Sequence, residues 1–132
     1  MNYTRMVSKY EQQTTVTNEQ IAESKTRISG AEEITRIVEV RMKEIATLLT
    51  RATITAEEKS KLTKEETENK AKIEAQKNIV NQETKNMVGY DSTIITLSTT
   101  IKSFKNHIKE VKVVIKSLEK KVSETKQALK SK

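Results

Sequence analysis

Apolar side chains recur along most of this chain at alternating spacings of three and four residues, which aligns them on one face of a helix. The clearest run is the last: Ile94, Leu97, Ile101, Phe104, Ile108, Val111, Ile115, Leu118, Val122, Thr125 and Leu129. In the seven-residue notation a to g, Ile or Val fills most a positions and Leu, Phe or Val most d positions. Such a strict 3.5-residue repeat makes a narrow seam that meets another helix. The spacing predicts a helix over 92–130, capped by Asp91 or Ser92, whose side-chain oxygens accept from the free backbone N–H groups at its start.

Upstream, Ile34, Val38, Met42, Ile45, Leu48, Leu49 and Ala52 form an apolar face. Ser29 with Glu32 fits a capping box and Gly30 marks a break, so a helix is expected to start near 31. A second box, Thr55 with Glu58, places a loop or kink near 50–55. Residues 55–72 hold only Leu62 as a large apolar side chain and read as a solvated helix supported by Glu–Lys pairs. Ile73, Val80 and Met87 restore a thin stripe, and Gly89 with Tyr90-Asp91-Ser92 is the expected turn. The first segment carries Tyr3, Val7, Tyr10, Thr14, Thr17, Ile21, Ser24 and Ile28 at the same spacing. Its small polar members predict a weakly amphipathic helix that depends on packing. The expected fold class is all-α: one elongated domain over 1–132, an antiparallel coiled coil or thin three-helix bundle. Its helices would lie at about 2–28, 31–88 (broken near 50–55) and 92–130.

Composition agrees with thin helices. Of the 132 residues 34% are hydrophobic and 33% charged, with no Pro, no Cys, no Trp and two Gly. A thick globular core needs more apolar residues, while disordered chains are richer in Pro and Gly. The missing cysteines exclude disulfides, thiolate nucleophiles and Cys-type zinc sites. The longest apolar run is Val113-Val114-Ile115, too short to span a bilayer, and the first twenty residues lack the apolar block of a Sec-type signal peptide.

The net charge of +7 is concentrated at one end. Residues 91–132 carry ten Lys against Asp91, Glu110, Glu119 and Glu124, while residues 31–90 carry eleven charges of each sign. Lys102, Lys105, Lys109, Lys112 and Lys116 occupy b and e positions, a basic stripe beside the seam. The stripe suits phosphates, an acidic partner helix or an anionic membrane surface, against the plain alternative of a solvated face, and nucleic acid is the weaker reading. The segment has no Arg, and its one aromatic, Phe104, belongs to the seam, whereas base reading and stacking favour both.

His107 is the single histidine, with neither a nucleophile nor an orienting partner nearby in sequence, and reads as a surface side chain. The acidic clusters Glu32-Glu33, Glu57-Glu58 and Glu65-Glu66-Glu68 lie among Lys and read as solvating charges. No phosphate loop, nucleophile elbow or cofactor pattern is present, so a non-enzymatic protein without a cofactor is expected. The last helix presents about ten large apolar groups, but the region 55–88 presents only about six. Burial is worth roughly 1.5–3 kcal/mol per Leu or Ile, so the mismatch predicts self-association or a helical partner along Ile94–Leu129.

Two stretches resemble the D1 rod helices of bacterial flagellin. The first comprises Gly30-Ala31, the block Arg41-Met42-Lys43-Glu44-Ile45-Ala46, then Thr53, Thr55, Lys59, Leu62, Glu65 and Ile73. It is similar to that family's Gly-Ala helix start, R-x-R-E-L-A block, Thr/Ser-rich turn and R-x-x-L-x-x-E helix. The second, Tyr90-Asp91-Ser92-Thr93-Ile94-Ile95-Thr96-Leu97 continuing to Ile101, is similar to the carboxy-terminal rod motif F-D-S-x-I-x-x-L-x-x-T-V. The family's long terminal helices have no counterpart before Gly30, and its F-N-G turn is absent. The resemblance implies antiparallel rod helices and a self-assembling flagellar filament protein, secreted without a cleaved signal. It also implies an immune-receptor-facing surface at the positions of Arg41, Ile45 and Glu65. The alternatives are a small helical adaptor or chaperone of a secretion apparatus, or a basic nucleic-acid or membrane-surface binder. Away from the resemblance the compartment stays open, with a cytoplasmic location as the default.

Overall fold

The computed structural model describes residues 2–131. Among them the chain forms two helices, α1 (Asn2–Leu49) and α2 (Ala56–Lys130), and no strand. The all-α class is as expected, but the helix count is two rather than three. Neither Gly30 nor the Gly89–Ser92 segment interrupts its helix. Glycine in a helix interior costs about 1 kcal/mol relative to alanine and has no steric need to end it. Both glycines have ordinary negative φ, and the seam residues on either side stay packed. The Ser29 and Asp91/Ser92 caps are therefore unused, because continuing the helix keeps every backbone hydrogen bond and the seam register together.

The break near 50–55 is real. Thr50 N donates to Thr47 O at 3.2 Å and Arg51 N to Leu48 O at 3.3 Å, the tightened bonds of a helix end. Ile54 N then donates to Arg51 O at 3.3 Å. Thr55 caps α2 as its spacing predicted: Glu58 N donates to Thr55 Oγ1 at 3.1 Å. Glu57 and Glu58 in the first turn favour the positive end of the helix dipole.

The contacts gather into two compact units. The first comprises Glu19–Asp91, in which the end of α1, the turn and the start of α2 form an antiparallel hairpin. Arg27 meets Glu83 and Arg41 meets Glu65, so advance along α1 is retreat along α2. The second unit is the chain up to Asn18 together with the segment from Ser92 onward. There Tyr10 stacks on Phe104 with ring centroids 5.8 Å apart, and Tyr3 lies 5.5 Å from the same ring.

One heptad register explains burial in both helices. In α1 it runs unbroken from Tyr3 and Val7 to Ile45 and Leu49, and every a and d position is buried or half-buried. It passes through Ala31 and Thr35 rather than Ile34, which is 45% exposed. In α2 the register extends back from Ile94 as far as Leu62, through Asn69, Gln76 and Glu83.

Threonine makes the polar seam positions of α1 workable. Thr14, Thr17 and Thr35 donate their hydroxyls to the carbonyls of Tyr10, Gln13 and Ala31, each at 2.9 Å. The hydroxyl is thereby satisfied by its own helix and the methyl remains free to pack. The first segment is thus a continuous helix despite its weak amphipathicity.

Candidate interaction surface

The seam Ile94–Leu129 divides into two parts. Ile94, Leu97, Ile101, Phe104, Ile108 and Val111 are buried or half-buried, with Leu97 7% exposed. The first segment of α1, not the region 55–88, covers them, because 55–88 belongs to the same helix as the seam. The expected pairing of the seam with 55–88 is therefore replaced by pairing with the start of α1. Past Val111 every described residue is exposed: Ile115 at 44%, Leu118 at 55%, Val122 at 54% and Leu129 at 68%. The repeat continues there, beyond the last aromatic contacts with α1, in which Tyr3 lies against Phe104 and His107. Val113 and Val114, at 62% and 56% exposed, stand beside this bare stretch.

The basic stripe Lys102, Lys105, Lys109, Lys112 and Lys116 is exposed throughout. Lys105 is the member with an ion pair across the helices: its Nζ lies 3.3 Å from Glu11 Oε1. Both residues occupy e positions. In the other unit Arg41 and Glu65, both at g, make an interhelical pair of their own. Arg41 Nε and Nη2 donate to Glu65 Oε1 and Oε2 at 2.7 and 3.0 Å. Pairing of e with e and g with g is the charge geometry of antiparallel helices in register. The fork raises the Arg41 pKa still further, through Glu65 first and then Glu44, and holds the Glu65 carboxyl below its ordinary value.

Of the three positions taken from the flagellin resemblance, Arg41 and Glu65 therefore satisfy each other. Ile45 does not belong to a surface: at 0% exposure it is the largest fully enclosed side chain. Its d position aims it into the seam, so the side chain itself is no part of the surface that the resemblance implies.

A polar layer lies toward the open end of the hairpin; the α1 spacing places Ser24 on the seam, but the α2 spacing did not single out Glu83. Ser24 is wholly enclosed, and Glu83 has a side chain only 12% exposed, with Nε of Arg27 2.9 Å from its Oε1. Ser24 Oγ and Glu83 Oε2 are enclosed without a partner at full hydrogen-bond geometry. The nearby Ser24 hydroxyl and the Arg27 guanidinium nonetheless hold the Glu83 carboxyl below its ordinary range, against the opposing effect of burial. Asn69, 5% exposed, is a second polar seam position. Running the α2 register backwards from Ile94 is the signal that would have found both: it reaches Glu83 between Met87 and Val80, and Asn69 past Ile73.

His107 lies edge-on to Tyr3, with centroids 4.6 Å apart, and its Nδ1 is 3.9 Å from Glu110 Oε2. The described residues contain no group of three or more His, Cys, Asp or Glu placed to hold a metal ion. No helix is long and apolar enough to cross a membrane among them. What the arrangement offers chemically is a bare apolar seam flanked by lysines. Comparison with protein-family models, curated proteins and solved structures finds no match to this chain.

Proposed function

We propose that this is a structural, non-enzymatic helical protein that assembles with another helix through α2 beyond Val111. One observation carries the reading: the heptad repeat continues for almost three turns of the repeat past the cover of α1, leaving Ile115, Leu118, Val122 and Leu129 in water. Burying the exposed half of each would contribute about 1 kcal/mol, and a partner's facing side chains a similar amount. Association itself costs about 4–15 kcal/mol in lost freedom. The seam supports a specific complex when flanking charges or further surface add to it.

A filament subunit of flagellin-like architecture is a narrower form of this reading, supported by the meeting of the matched residues Arg41 and Glu65. The enclosure of Ile45 counts against its receptor-facing part. A secretion adaptor or chaperone would use the same seam in a discrete complex.

Sedimentation velocity over a concentration series tests the assembly reading. The expected outcome is association lost in the double variant Ile115→Asn, Val122→Asn, with helicity retained because both positions are exposed. A clean monomer at every concentration, together with no helical partner, would refute it.

A further inference from the structure

The lysines around the bare seam specify the charge of its partner. Residues 112–130 carry Lys112, Lys116, Lys120, Lys121, Lys126 and Lys130 against Glu119 and Glu124, a net charge of six minus two, +4. Lys112 and Lys126 occupy e positions, with Glu119 between them, and Lys121 occupies a g position, so lysines stand on both sides of the apolar stripe. Seven residues before Lys112, in the same e position, Lys105 pairs with Glu11 of α1. The helix that covers the seam thus places an acid opposite an e-position lysine.

A second copy of the chain fits this surface poorly. Antiparallel overlap centred on Glu119 sets Lys121 against Lys121, Glu119 against Glu119 and Lys112 against Lys126, and the overlap one heptad further on, which pairs Glu119 with Lys126, leaves Lys112 and Lys121 without an acid. Parallel overlap pairs the g-position Lys121 with the e-position Lys126 and gives no opposite-sign pair. Like charges across a helix interface select against the pairing. A bilayer also fits poorly, since surface-lying helices present a broad apolar face, and here the charged Lys112, Glu119 and Lys126 at e and, beyond Val114, Lys121 at g narrow the stripe.

We propose that the seam Ile115, Leu118, Val122 and Leu129, bordered by Lys112, Lys121 and Lys126, docks an acidic amphipathic helix of another protein. The inference rests on the assembly reading above and adds the partner's chemistry. The partner's apolar residues continue the stripe that α1 covers up to Val111. Its Glu or Asp residues at e and g meet the lysines as Glu11 meets Lys105.

The test uses the full chain and two labelled peptides of about three heptads, with Ile and Leu at a and d and either Glu or Lys at e and g. Fluorescence anisotropy should show the Glu peptide binding at least roughly ten-fold tighter than the Lys peptide. That preference should shrink between about 50 mM and 500 mM salt. Binding should vanish in Ile115→Asn, Val122→Asn. It should switch to the Lys peptide in Lys112→Glu, Lys121→Glu, Lys126→Glu, with the thermal midpoint of both variants unchanged. Equal binding of the two peptides, or preference for phosphatidylserine vesicles over the Glu peptide, overturns the proposed partner. If neither peptide binds but the chain self-associates through Ile115 and Val122, the acidic partner fails and the assembly reading stands. A monomer that binds neither peptide removes both.

Discussion

Replacing Ile45 with alanine and, separately, Ile115 with alanine tests the division of the seam most directly. The two residues are chemically identical and both sit on heptad stripes, but Ile45 is fully enclosed while Ile115 is 44% exposed. At Ile45 the change removes buried methyl and methylene groups and leaves a cavity between two helices that relax only partly. Such truncations cost about 2–5 kcal/mol. For a chain of this length that corresponds to a fall in thermal midpoint of roughly 8–20 °C. At Ile115 no facing helix closes over the side chain, and alanine has the better helix propensity, so the change should fall within about 0.5 kcal/mol of neutral. Thermal and urea unfolding followed by circular dichroism at low protein concentration measures both. Repeating the scan at higher concentration separates assembly from folding, because association raises the apparent midpoint by mass action. The Ile115 variant should lose that concentration dependence and nothing else. If Ile115→Ala costs as much as Ile45→Ala at every concentration, α2 beyond Val111 is already covered within its own chain and the division is wrong.

Gly30→Ala and Gly89→Ala should each raise stability by about 1 kcal/mol, because both sites are helix interior. A Cβ at either would meet nothing within 4 Å. A lower midpoint for either variant would mean that the chain uses the glycine as a break. Folding stability should decline as pH falls below the ordinary glutamate value of 4.5, because the Glu83 carboxyl is held lower in the folded chain. The sign follows from linkage: a depressed folded pKa stabilises above the unfolded value, and that contribution is lost as pH drops through the folded one. Glu83→Gln should flatten this part of a stability profile taken from about pH 7 to about pH 3, and an unchanged slope would refute the role given to Ser24 and Arg27. Arg41→Lys keeps the charge but loses the two-pronged bond to Glu65, so its urea midpoint should fall slightly, and by less in high salt. A loss unaffected by salt would show that packing of the Arg41 stem, not the ion pair, holds the position.

The Thr55 cap and the turn before it were legible in the residues, since a capping oxygen and the acid three positions on act within one helical turn. So was the periodicity of α2 from Ile94 onward, where the large side chains leave one face in no doubt. The seam of α1 was legible only in part. Tyr3 to Ile28 carried the right spacing, but beyond Gly30 the large side chain is Ile34, whereas the small Ala31 and Thr35 face inward. Size is a poor guide where two helices lie close, because the interface has room for small residues and Thr can satisfy its own hydroxyl.

What the sequence alone determined is therefore the helical class, the turn, the heptad register and the basic excess near the end, all of which depend on neighbours within a few residues. Tertiary structure decided that Gly30 and Gly89 lie inside helices, because the facing helix holds the seam residues on either side of them. It also decided that Asn69 and Glu83 are interior, and that α1 covers the last seam only as far as Val111. Those outcomes depend on which residue of one helix stands opposite which residue of the other. That register is set by all the layers at once, and no local window contains it.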